Sequence, residues 1–136
     1  MDAINDEYGS HAWQPITVFY ENNYAQAIAA MRNYDVLVVN PVIDGMNLVA
    51  KEGPIVNRRD GVLVLSETAG AYEQLADHVL AVAPADIEGT VRAMRTGLEM
   101  PAEERRARAM ALRETVAGDD IIQWLERQFR DLLELA

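Results

Sequence analysis

The chain has 136 residues, half of them apolar, the length of one ordinary domain with enough apolar surface to bury a core. Twelve basic residues against 22 acidic ones leave a net charge of −10, so its long-range field repels polyanions, and nucleic acid and anionic membrane surfaces are poor partners. Cysteine is absent, which removes disulfides, thiolate metal sites and a cysteine nucleophile.

The first residues, MDAINDEYGS, have neither the basic start nor the apolar centre of a signal peptide. No apolar run reaches the roughly 18 residues that would span a membrane, and the expected location is the cytoplasm. Residues 1–14 read as an irregular lead-in, residues 15–84 as βα units and residues 86–136 as helices, together a single domain. PITVFY, residues 15–20, is β-branched and aromatic and predicts a strand; YAQAIAAMR, residues 24–32, predicts a helix that Asn22 or Asn23 caps. DVLVVN, residues 35–40, is a short continuous apolar run of the kind found in strands buried on both faces. A helix is expected from about Asn47, then a strand at GVLVLS, residues 61–66, a short helix at 71–76 and a fourth strand in HVLAVAP, residues 78–84. About four strands alternating with helices predict an α/β fold with a parallel sheet, whose ligand sites form where strand ends meet the following helices.

Three helices complete the chain. Residues 86–99 place Val91, Met94 and Leu98 on one face, and residues 101–117 start at Pro101 and stop at Gly118. The last helix, from Asp119, aligns Ile121, Leu125, Phe129 and Leu132, with Trp124 and Leu133 beside them, and this stripe needs a partner surface. Asp119 and Asp120 read as helix caps, and His11 and His78 lie too far apart in sequence for a metal pair.

The most informative stretch is DGMNLVAKE, Asp44 to Glu52, directly after DVLVVNPV. A helix starting near Asn47 leaves the N–H groups of residues 46–50 facing the strand end, with the positive end of the helix dipole behind them. An anion or a cluster of hydroxyls can bind such an end without any basic side chain. Gly45 allows close approach to the backbone, Asp44 can accept hydrogen bonds from hydroxyls, and Glu52, one or two turns on, can hold a vicinal diol such as a ribose. A sugar nucleotide carries all of these groups. Spacing alone favours the plainer reading, in which Asp44 and Gly45 build a tight turn while Lys51 and Glu52 are solvated.

From Ile4 to about Leu133 the sequence resembles the C-terminal part of the trehalose-phosphate synthase family, retaining GT-B glycosyltransferases that include glucosylglycerol-phosphate synthases. The matching segments are INDEYG with Trp13 and Pro15, DVLVVNPVIDGMNLVAKE, GVLVLSETAGAYEQL and DIIQWLERQFRDL. The resemblance implies a partial Rossmann-like donor domain. It implies that Asp44 and the backbone of Gly45, Met46 and Asn47 bind the transferred glucose, that the Leu48 and Val49 amides meet the diphosphate, and that Glu52 holds the ribose. It also implies a metal-independent reaction with UDP-, GDP- or ADP-glucose and no cofactor.

Members of that family are several times longer. By the resemblance, the acceptor domain, the basic residues that neutralise the diphosphate and an active-site histidine lie outside this sequence, so no complete catalytic set is expected, weak donor binding is expected and an acceptor-domain partner is implied. Gly53 and Pro54 follow Glu52 where relatives continue a helix, which predicts a kink or an end there and a displaced Glu52. Ser66 and Glu67, at the next strand's end, have two readings, as lining of the same crevice or, more plainly, as a strand end and a solvent-facing acid; Arg58 and Arg59 read as solvated loop charges and Tyr72 as packed. By the resemblance, two strands of the family's sheet that lie between PITVFY and DVLVVN are missing, which predicts open strand edges and a homodimer or larger assembly, the alternative being a monomer in which PITVFY pairs directly with DVLVVN. Two functional expectations follow: the donor-binding portion of a glucosyltransferase, inactive alone, or a non-catalytic interaction protein that keeps the fold.

Overall fold

In the computed structural model, which describes residues 1–119 and 121–135, the chain order is α1 Asp2–Tyr8, α2 Tyr24–Met31, β1 Val36–Val39, α3 Leu48–Val56, β2 Val62–Ser66, α4 Tyr72–Leu75, a 3-10 turn Ala76–His78, β3 Leu80–Val82, α5 Ile87–Glu99, α6 Ala102–Ala117 and α7 Ile121–Glu134. The strands form a parallel sheet in the order β1-β2-β3, with Val36 opposite Val62 and Val64 opposite Leu80. All five residues of β2 are buried, as its central place requires. Alternation sends Leu63 and Leu65 into the main core with Val39, Ala50, Leu75 and Leu112, between the sheet and the layer of α3 and α6. Each fully buried leucine contributes about 1.5–3 kcal/mol by leaving water. The other face takes α5, which packs against all three strands.

The α5 contact with the sheet is a close one, made at Gly97. Gly97 is buried, and a Cβ there would sit 3.0 Å from Val36 and 3.4 Å from Val62, so the helix axis lies close to the sheet. Val91, Met94 and Leu98 share a face as the spacing predicts, but that face is exposed. The stripe of α7 is exposed as well, at Ile121, Leu125, Phe129 and Leu132, so the partner surface it needs is not supplied by the described residues. Asp119 does not act as an isolated cap: its carboxylate accepts from Gln74 Nε2 at 3.0 Å and pairs with Arg127. Asp120 lies outside the described residues.

Two expectations near the start are corrected. PITVFY forms no strand, so among the described residues the sheet has three strands rather than the expected four or so. Strand preference needs a neighbouring edge, and the Asn5 side chain instead takes both backbone groups of Ile16, Nδ2 donating to the carbonyl and Oδ1 accepting from the amide at 2.9 Å each. Residues 17–20 stay exposed. The lead-in is also not wholly irregular, because α1 occupies Asp2–Tyr8 and closes with the Gly9 N–H on the Asn5 carbonyl.

Pro54 sits inside α3, which runs two residues further and ends at Val56. Its C-terminal carbonyls find partners on α6, where Arg113 donates Nε to Pro54 O and Nη2 to Asn57 O, both at 3.1 Å, and binds Asp60. Buried Asn57 fills all its hydrogen-bonding capacity: Nδ2 donates to Met31 O and Tyr34 O, and Oδ1 accepts from Arg59 N and Gly61 N. Arg59 is not simply solvated, since it pairs with Asp35 at 3.1 Å. Arg58 is exposed, and its amide donates to Arg32 O.

Candidate functional site

The turn from β1 into α3 carries the site. Asn47 caps α3 in a left-handed conformation, φ 69°, which asparagine tolerates better than most residues. Its Oδ1 accepts from Ala50 N at 3.0 Å, and its Nδ2 donates to Asp44 Oδ2 at 2.9 Å. That second bond orients the Asp44 carboxylate and leaves Oδ1 for other donors. One of the two donors of the Asn47 side chain and one of its acceptor lone pairs are thereby used, which fixes the side chain in the turn.

The N–H groups of Gly45, Met46, Asn47, Leu48 and Val49 have no acceptor among the described residues. Asp44, Gly45, Met46, Leu48 and Val49 are all exposed, and nothing lies within 4 Å of the place a Gly45 Cβ would occupy. Apart from Ala50 N, which Asn47 caps, this end of α3 is open among the described residues. Glu52 is half-buried on the same helix, four residues after Leu48 and so on its face. Because α3 continues through Pro54, Glu52 stays in helical register with the cap, and the displacement expected from the proline does not follow. Lys51 is half-buried beside it. Among the described residues no cluster of histidine or acidic side chains could hold a metal ion, and no helix is long and apolar enough to cross a membrane.

The turn from β2 into α4 lies against this loop, through contacts of Thr68, Ala69, Gly70 and Ala71 that sequence reasoning did not assign. Ser66 is fully buried and its Oγ lies 2.7 Å from Thr68 Oγ1, which donates to Pro41 O at 3.0 Å. Gly70 N donates to Asp44 O at 3.0 Å and Ala71 N to Met46 O at 2.9 Å, with a parallel bridge between Asp44 and Ala69. The available signal was the small-residue run Ala69-Gly70-Ala71 after a strand, which permits close backbone approach. Glu67 is exposed and Tyr72 packs on the core, as expected.

Residues 1–134 match glycosyltransferase family 20. The chain is 40% identical over 127 residues to the bifunctional trehalose-6-phosphate synthase/phosphatase of Thermoproteus tenax, covering 91% of this chain and 17% of that protein. Among solved structures it is similar to a UDP-forming alpha,alpha-trehalose-phosphate synthase from Burkholderia xenovorans in complex with glucose-6-phosphate, with TM-score 0.84 and 36% identity over 97% of this chain and 30% of that one. A third relative is the E. coli enzyme bound with UDP-2-fluoro glucose, with TM-score 0.84 and 34% identity over 96% of this chain and 29% of that one. The chain thus spans under a third of the length of each of these relatives.

Proposed function

The chain belongs to glycosyltransferase family 20, and on that premise we propose that it is the donor-binding portion of a retaining glucosyltransferase resembling trehalose-phosphate synthase. The observation that carries this reading is the set of five unbonded amides from Gly45 to Val49 at the N-terminal end of α3, beside the oriented carboxylate of Asp44. Asp44 and the amides of Gly45, Met46 and Asn47 would bind the glucose hydroxyls, and the Leu48 and Val49 amides the diphosphate, with the helix dipole behind them. Glu52 would accept from the ribose diol. Glucose would pass from a nucleoside diphosphate to a sugar phosphate or similar acceptor, held by parts of the enzyme beyond this chain. The departing diphosphate would activate the acceptor on the same face, so no protein nucleophile is needed, and fixed dipoles would stabilise the oxocarbenium-like transition state.

Titration calorimetry of the chain with UDP-, GDP- and ADP-glucose tests this. One conjugate should bind, and Asp44→Ala should weaken it about tenfold, the loss expected when a charged acceptor of a hydroxyl is removed. Since Asp44 is exposed, thermal stability should barely change. Absence of heat with all three conjugates would end the reading.

We also propose that the chain self-associates. No strand covers the outer edge of β1 among the described residues, and the stripes on α5 and α7 are uncovered. Light scattering should give at least a dimer mass; a monomer at every concentration would remove this proposal.

A further inference from the structure

We propose that Thr68 and Gly70, in the turn after β2, are positioning residues that aim the backbone amides of the loop after β1. The inference rests on the donor-binding reading for its consequence, though not for its geometry. Two carbonyls of the first loop are hydrogen-bonded by the second turn, and the one between them packs against it. Asp44 O accepts from Gly70 N, Met46 O accepts from Ala71 N, and Gly45 O lies against Gly70 itself, 1.8 Å from where a Cβ would stand. Among the described residues no peptide bond is cis. In a planar trans peptide the N–H points opposite to the C=O of the same unit. Holding the carbonyls of Asp44, Gly45 and Met46 against the second turn therefore turns the N–H groups of Gly45, Met46 and Asn47 away from it, which accounts for their lack of an acceptor within the fold.

The hydroxyl pair sets the turn's own position. Thr68 Oγ1 donates its proton to Pro41 O, so the 2.7 Å contact with Ser66 must run the other way, with Ser66 Oγ donating to Thr68 Oγ1. Ser66 Oγ in turn accepts from Thr68 N at 3.2 Å. This directed relay ties the fully buried end of β2 to the residue that opens the first loop. A side chain at position 70 would push the Gly45 carbonyl, and with it the plane that carries the Met46 amide.

The test uses the full 136-residue chain as wild type, Thr68→Val, Thr68→Ser and Gly70→Ala. Without ligand, hydrogen exchange of the Gly70 and Ala71 amides should quicken about fivefold in Thr68→Val, the scale of one lost hydrogen bond, and return to the wild-type rate in Thr68→Ser. Affinity for whichever nucleotide-glucose conjugate the wild type binds should fall by a similar factor in Thr68→Val, recover in Thr68→Ser and fall at least as far in Gly70→Ala. Unchanged exchange in Thr68→Val overturns the proposal, and so does quickened exchange with unchanged affinity. If the wild type binds no conjugate, the donor reading fails by itself, and the exchange rates alone decide whether the second turn holds the first. Should Gly70→Ala fail to fold, the two Thr68 variants still decide the matter.

Discussion

At its C-terminal end α3 gives the carbonyl of Pro54, and that of its cap Asn57, to Arg113, while Asn57 also ties α2 and the start of β2 into the same knot. At its N-terminal end the amides from Gly45 to Val49 meet no protein acceptor among the described residues. Any helix leaves unpaired groups at both termini, and folds ordinarily satisfy them with side chains or water. Here one end is saturated by residues from distant parts of the chain, whereas the other is capped only at Ala50 N and has its preceding carbonyls drawn inward. Hydrogen bonds are concentrated at the first end, and open amides at the second.

Asn57→Ala should break the contrast most severely. It removes four hydrogen bonds at a buried position and leaves two carbonyls and two amides without their partner, for an expected loss of about 3 kcal/mol or more in chemical denaturation. Nucleotide-glucose affinity of the fraction that remains folded should stay within about twofold of wild type, because none of the lost bonds reaches the open end. A large affinity loss at unchanged stability would mean that the two ends of α3 do not have separate roles.

Arg113→Met keeps much of the aliphatic bulk while deleting the forked donor. Its bonds to Pro54 O, Asn57 O and Asp60 are part-buried, so the expected loss is about 2 kcal/mol, again by denaturant titration. The loss is smaller than for Asn57 because the Asp60 carboxylate is part-exposed and keeps Arg106 as a partner at 3.7 Å. A loss exceeding that of Asn57→Ala would place the weight of the knot on α6 instead.

The open end was more legible in the sequence than the closed one. Asn47 after a glycine, before a helical run, announces a cap locally, and DGMNLVAKE keeps all its proposed donor contacts within nine residues. The knot joins Met31, Tyr34, Asn57, Asp60 and Arg113, and no local pattern links residues 82 positions apart at its extremes. The βα order was readable from apolar runs for β1, β2 and β3. PITVFY misled because composition reports a preference for strand while pairing depends on what lies alongside, and here Asn5 stands where a neighbouring strand would. The shared face of Val91, Met94 and Leu98 was legible from its spacing, whereas the face that meets the sheet was not, because that contact depends on the close approach Gly97 allows and glycine carries no apolar signal.

The smallest effect is expected beside the knot, at Tyr34, whose buried hydroxyl finds no hydrogen-bond partner. Burial pushes its pKa well above the ordinary tyrosine value, with the Arg113 charge pulling partly the other way. The folded state thus holds the phenolic proton more tightly than the unfolded chain does. The stability this confers is complete below the unfolded value of about 10 and declines as pH rises past it, since unfolding then releases a proton. Tyr34→Phe removes both the unpartnered hydroxyl and the titration. Stability at neutral pH should change by less than about 1 kcal/mol, on the stabilising side, because replacing an unsatisfied buried hydroxyl restores no lost bond and removes a desolvation cost. Thermal melts from pH 8 to 11 should show the wild type losing stability more steeply than the variant above pH 10. Parallel curves would mean that the hydroxyl reaches water, and the closed end of α3 would then be less sealed than its bonds imply.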